Sequence, residues 1–223
     1  LYLRDYKSMK PKAIKEALIA FCEKNISGYS RAKYYKTINR IMAKATDKKQ
    51  KLVRIEKVGV YFEEVSYINS LDIDYQYKKL LFAFLVQMRL NKIIYETKNE
   101  KEYTSIYFKG GRKKYQSIKS MANISSKINI NDDFIYDVSR MEVPLIVPMY
   151  SGLVCLKFLE NCVQSGDVVI EVRDFENTGW YLDYYNNIDG VVLCEKCGQP
   201  FKQRRKDSRF CEKHKEYEPM EYK

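Results

Sequence analysis

The sequence predicts an α+β protein built from three modules. Residues 1–50 form helix-turn-helix-like N-terminal helices, and residues 51–165 a winged-helix-like domain. Residues 166–223 carry a strand and aromatic segment and then a small zinc ribbon or knuckle. Three observations predict this. Two amphipathic stretches flank a short glycine-containing turn near the start. In the middle, helical patterns give way to two apolar runs around a tight turn. Near the end, three of the six cysteines gather with the only histidine.

The first helix is read in KPKAIKEALIAFCEKN, residues 10–25, where Ile14, Ala17, Leu18 and Phe21 recur at helical spacing. Ser8 is a candidate cap, and Pro11 suits the first turn, where its missing N–H costs nothing. Gly28 suits a left-handed helix end, and Ser30 can cap the next helix. That helix, residues 30–45, has an apolar stripe of Tyr34, Ile38, Ile41 and Met42. Much of its remaining surface is Arg31, Lys33, Lys36, Arg40 and Lys44. Two helices across a short turn, the second basic, fit a helix-turn-helix whose second helix enters the major groove. Arg31, Lys33, Lys36 and Arg40 are the candidate DNA contacts. The alternative is an αα-hairpin with a solvated basic face.

TDKKQK, residues 46–51, is a charged connector. Residues 52–62 alternate as a strand, and EEVSYINSLDID begins a helix. Residues 75–91 place Leu80, Leu81, Phe84, Leu85 and Met88 on one side and predict the central core helix. YTSIYF predicts a strand, Gly110–Gly111 a turn, and residues 112–124 a helix with Tyr115, Ile118 and Met121 inward. A further helix is predicted over residues 128–141, then two strands around a turn at residues 150–152. This order is the layout of a winged helix. Asp132, Asp133 and Asp137 on its second helix would repel phosphate, so the sequence favours the fold over a DNA-reading role for that helix. Residues 167–187 predict a strand, then an aromatic segment with Trp180, Tyr181, Tyr184 and Tyr185. These suit gluing a small domain to its neighbour better than stacking bases.

The most specific signal is Cys194-x2-Cys197, thirteen residues, then Cys211-x2-His214. Two such pairs can set three thiolates and an imidazole at the corners of a tetrahedron, the donor set of a Zn²⁺ site. Gly198 suits the knuckle turn, residues 191–193 lead in as a strand, and Phe201 and Phe210 are placed to cover the ion. Four protein ligands close the coordination sphere, so the expected Zn²⁺ is structural. Between the pairs, Arg204, Arg205 and Arg209 make a second candidate nucleic-acid contact, with a merely solvated loop as the alternative. Cys22, Cys155 and Cys162 sit among apolar neighbours and read as inert thiols.

The formal net charge is +11, from 40 Lys+Arg against 29 Asp+Glu, and favours polyanionic partners. There is no phosphate-binding G-x-x-x-x-G-K-[ST] loop and no G-x-S-x-G elbow. The single histidine is committed to metal, so histidine acid–base chemistry is excluded. Asp72, Asp74, Asp132 and Asp133 make only a weak case for a Mg²⁺-dependent nuclease, and the expectation is a non-enzyme without a small-molecule substrate. The longest apolar run, residues 80–86, is too short to span a bilayer, so no membrane partner is expected. Cysteines used as metal ligands point to a reducing compartment.

Asp174, Phe175, Asn177 and Gly179, followed by Cys194, Cys197, Gly198, Cys211 and His214, resemble the tail of uncharacterised phage and mobile-element proteins of low-GC Gram-positive bacteria. In those a DF-N-G segment precedes C-x2-CG…C-x2-C/H. The stretch YINSLDIDYQYKKLLFAFLV is similar to their helix-rich region. The resemblance implies a phage or prophage origin and a zinc protein of the bacterial cytoplasm; it carries no activity with it. The expected function is DNA binding in replication or transcription control. The alternative is a protein-interaction module that binds and inhibits or redirects a host complex: a polymerase, a replisome or a defence system.

Overall fold

The structure, a computed structural model, describes residues 2–5, 7–47, 52–99, 107–109, 118–125, 146–149, 153–156 and 166–217. Helices and small antiparallel sheets are mixed, as an α+β protein requires. The chain divides into two compact units. One comprises Leu1–Arg54 and Ile94–Glu102, the other Ile55–Ile93 and Tyr103–Lys223.

In the first unit, α1 (Tyr2–Asp5) precedes α2 (Pro11–Asn25) and α3 (Arg31–Thr46). Pro11 opens α2 as predicted, but Ser8 is not its cap. Lys10 takes that position without a side-chain hydrogen bond, and Ser8 lies outside the helix at φ 49°. A turn follows, in which the Tyr29 N–H donates to the Ile26 carbonyl at 3.2 Å and Gly28 holds φ 67°. Only a residue without a Cβ adopts that left-handed conformation freely. Ser30 caps α3, its hydroxyl accepting the Lys33 N–H at 3.2 Å. Ile14, Cys22, Ile38 and Ala45 are buried, whereas Phe21 and Ile41, read as core, are 62% and 41% exposed. Cys22, one position further along the helix, takes the buried place that periodicity gave to Phe21.

In the second unit, β1 (Val58–Tyr61) runs directly into α4 (Phe62–Ser70), and α5 (Tyr75–Asn99) follows, its residues up to Ile93 belonging to this unit. Residues 80–86 of α5 are all buried, and a helix apolar on every side belongs at the centre of a core. Then come β2 (Tyr107–Lys109), β3 (Ile146–Met149) and β4 (Leu153–Leu156), in one antiparallel sheet ordered β2-β4-β3. Residues 118–121 are helical, and Ile118 and Met121 are buried as expected. Tyr115, the Gly110–Gly111 turn, the helix predicted over residues 128–141 with its three aspartates, and the turn at 150–152 lie outside the described residues.

β5 (Val168–Val172) pairs antiparallel with β1, setting Val58 opposite Val172 and Val60 opposite Ile170. α6 (Thr178–Tyr185) and the hairpin of β6 (Val191–Leu193) and β7 (Pro200–Lys202) complete the unit. One apolar cluster joins Val58, Val60, Ile68, residues 80–86, Ile118, Ala122, Ile170, Val172, Tyr181 and Leu182. Residues on both sides of position 166 contribute to this cluster. Among the described residues no helix is long and apolar enough to cross a membrane.

Candidate metal centre

Strand β6 delivers Cys194 to a tight turn. There the Gly198 N–H donates to the Cys194 carbonyl at 2.8 Å, and the Cys194 N–H to the Gln199 carbonyl at 2.9 Å. Gly198 sits at φ 66°, which closes the knuckle and turns the chain into β7. Of the second pair, Cys211 immediately precedes a short 3₁₀ segment (Glu212–Tyr217) and His214 lies in it, the His214 N–H donating to the Cys211 carbonyl at 2.8 Å. His214 breaks the helical geometry at φ −129°, ψ 18°. The two pairs are laced together by the Glu195 N–H donating to the Arg209 carbonyl at 3.1 Å.

The four donors converge. Cys194 Sγ lies 3.6 Å from His214 Nδ1, Cys211 Sγ 3.4 Å from the same nitrogen, and Cys197 Sγ 3.9 Å from Cys211 Sγ. All four ligand atoms fall within 4.8 Å of one another. Cys194 and Cys211 are buried, and Cys197 and His214 are half-buried. Phe201 is buried against the cysteines, with Trp180, Val192 and Phe210 packed around them, so the expected apolar cover is present.

Burial opposes ionisation of these thiols. At Cys194 it is outweighed by backbone amides of Cys211, Cys197 and Lys196 and by the His214 ring, which bring the thiol down to about 6. At Cys211 burial, with the neighbouring Cys194 and Cys197 sulfurs, pushes the thiol up to about 11. Neighbouring thiolates repel one another until a cation sits among them. The arrangement can hold a metal ion.

The aromatic segment ties this centre to the core, as the sequence suggested, through contacts that the sequence does not mark. Tyr181 is buried in the main apolar cluster, and Trp180, the residue before it, packs on the metal cluster. The aromatic segment thus glues the two clusters. The Tyr181 hydroxyl accepts the N–H groups of Arg173 at 3.0 Å and Asp174 at 2.8 Å, and itself donates to Gln199. Gln199 in turn donates to the Cys197 carbonyl at 3.0 Å.

Arg31, Lys33, Lys36 and Arg40 are all exposed along α3. Arg31 pairs with Glu23 at 3.0 Å, and the Lys33 ammonium lies 5.6 Å from the Tyr34 ring centroid. In the basic loop, Arg209 grips Glu195 through two bonds of 2.6 and 2.5 Å, holding that carboxyl below its usual range. Arg204 pairs with Glu212. These two guanidiniums brace the metal module itself. Arg205 is exposed, its backbone N–H on the Ser208 hydroxyl at 3.4 Å. Asp74 serves α5, accepting the Gln76 N–H at 2.7 Å.

Comparison with known protein families, curated proteins and solved structures found no match.

Proposed function

We propose that this is a DNA-binding protein of phage or prophage origin, acting inside the bacterial cell in replication or transcription control, with a structural Zn²⁺ on Cys194, Cys197, Cys211 and His214. The reading is of a binding protein, not an enzyme. The observation that carries it is one face of α3. Lys33, Lys36, Arg40 and Lys44 follow one another at three- and four-residue steps, all exposed, and α3 contains no acidic residue. Like charges at such spacing each cost a helix about 0.2–0.5 kcal/mol. A duplex backbone supplies the missing counter-charge and releases its own counterions.

The zinc assignment is supported by the spacing of the donors. Zn–S bonds of about 2.3 Å and Zn–N bonds of about 2.0–2.1 Å at tetrahedral angles put sulfurs about 3.8 Å apart, and sulfur and nitrogen about 3.6 Å apart. The separations of 3.9, 3.6 and 3.4 Å agree. When bound, the ion cross-links a tail whose apolar cluster is too small to stand alone. The winged-helix reading draws support from the sheet order β2-β4-β3, in which β3 and β4 pair beside the strand that precedes the helical residues 118–121.

Duplex affinity across a salt series tests this. Lys33→Ala, Lys36→Ala and Arg40→Ala combined should weaken binding. They should also flatten the dependence of log K on log salt, by about 0.9 for each phosphate that the variant no longer neutralises. Unchanged affinity and slope would remove α3 from the interface. A second reading, a module that engages a host protein complex, is favoured by Phe21 and Tyr35, 62% and 60% exposed. A stoichiometric host protein co-purifying with the wild type but not with Phe21→Ser/Tyr35→Ser would establish it.

A further inference from the structure

The second unit holds a groove of about 1280 Å³ that takes in the candidate metal centre, with Cys197, Cys211 and His214 in its lining. Small-molecule sites occupy about 300–1,000 Å³, so a groove of this size suits a stretch of polymer. Trp180 and Phe210, both half-buried, line it beside the buried Phe201. Six Lys and Arg side chains line it against three carboxylates. Most of these pair locally: Lys213 with Asp174 at 3.1 Å, Lys215 with Glu212 at 2.7 Å, Arg204 with the same Glu212, and Arg173 with Glu171 at 2.9 Å. Such exposed pairs are weak and leave the cationic excess in place. A cleft lined by an excess of one charge, with apolar walls, focuses its field on an oppositely charged ligand.

We propose that this groove binds single-stranded nucleic acid, with bases stacked on Trp180 and Phe210 and phosphates on Arg173, Arg205 and Lys215. Aromatic faces combined with cations are what a splayed strand needs, because every base offers a π-face. In a duplex those faces are already stacked on one another, so the aromatic lining discriminates against it. A metal ion on Cys194, Cys197, Cys211 and His214 would tie down the turns on either side of the loop that carries Arg205 and Phe210. The site is separate from α3 and does not depend on the duplex reading.

Trp180 is the chain's only tryptophan, so it reports directly on the groove. The experiment titrates the full zinc-loaded chain at low salt with a thymidine oligomer of about 12 nucleotides, within the span of known single-strand sites. A uridine oligomer, a duplex of equal length and polyglutamate are run in parallel. Saturable quenching of Trp180 emission by either single strand, with little from the duplex, is expected; the thymidine and uridine arms show which sugar is preferred. By anisotropy of a labelled oligomer, Arg173→Ala/Arg205→Ala/Lys215→Ala should weaken binding about tenfold or more, and Phe210→Leu, which keeps the apolar cover, by about fivefold or more. Trp180 quenching, which reads the groove and not α3, should persist in the α3 triple variant. Absence of quenching by both single strands, binding that survives the groove variants, or displacement of the oligomer by polyglutamate at equal charge would overturn the proposal.

Discussion

Gly179 lies against Ala122 so closely that a Cβ on Gly179 would sit 1.9 Å from the Ala122 carbonyl oxygen and 2.9 Å from Lys79 Cε. The first of these is backbone, which a side-chain rotation cannot relieve. Contact at this distance is what lets the first turn of α6 seat on the segment after residues 118–121. Gly179→Ala should therefore destabilise the second unit by about 1–3 kcal/mol, the range for overpacking, despite alanine's better helix propensity. Urea unfolding measures it; a neutral or stabilised variant would show that the approach is looser than described.

Beneath that contact, Lys79 of α5 and Asp183 of α6 form an ion pair of 2.7 Å with side chains only 6% and 8% exposed. A buried pair adds little net stability, but removing one partner strands the other charge, at a cost of about 3–5 kcal/mol. Lys79→Met alone should cost that much, and Lys79→Met with Asp183→Leu should recover most of it. If the double variant is no better than the single, desolvation of Asp183 is not the cause.

Glu64 is fully buried and paired with Arg89 at 2.6 Å, and its carboxyl accepts the Tyr61 N–H at 3.0 Å. Burial outweighs the Arg89 attraction and raises the carboxyl above its ordinary value. The folded state thus holds the proton more tightly than the unfolded chain. Its contribution is fully present below the unfolded value and is lost as pH rises through the folded one. Glu64→Gln keeps the shape without the charge. The difference in Tm should shift in favour of the variant as pH rises from about 4 toward neutrality, whereas Glu64→Ala should be destabilised throughout. A constant difference between Glu64→Gln and wild type across that range would contradict the raised carboxyl.

What could be read in the sequence was local. The four candidate metal ligands lie in two short pairs, so their convergence needs only two turns, one of them marked by Gly198. The Ser30 cap and the all-apolar stretch of α5 are equally local. The pairing of β1 with β5 is not, because Val58 and Val172 carry no mark of each other. Nor does composition separate a cation committed to a protein carboxylate from one facing solvent. Arg204 and Arg209 look like phosphate contacts in the sequence, yet in the fold Glu212 and Glu195 stand against them. Phe21 and Cys22 differ by one helical step, and periodicity cannot choose between neighbours when the buried seam is narrow.

The metal centre yields the sharpest separation between the two apolar clusters. Phe201, Trp180, Val192 and Phe210 surround the cysteines but form too small a core to hold β6, β7 and the basic loop without the ion. Tyr181 and Leu182, by contrast, are anchored in the main cluster. Cys197→Ser and Cys211→Ser, or a chelator, should therefore release the metal and melt the tail while the main core keeps its own cooperative transition. Trp180 emission should shift to the red as its packing on the cysteines is lost, and elemental analysis should fall from one zinc per chain to none. Wild-type zinc content and thermal stability in both variants would refute the ligand set; loss of the main transition as well would mean that the ion holds α6 in place through Tyr181 and Gln199.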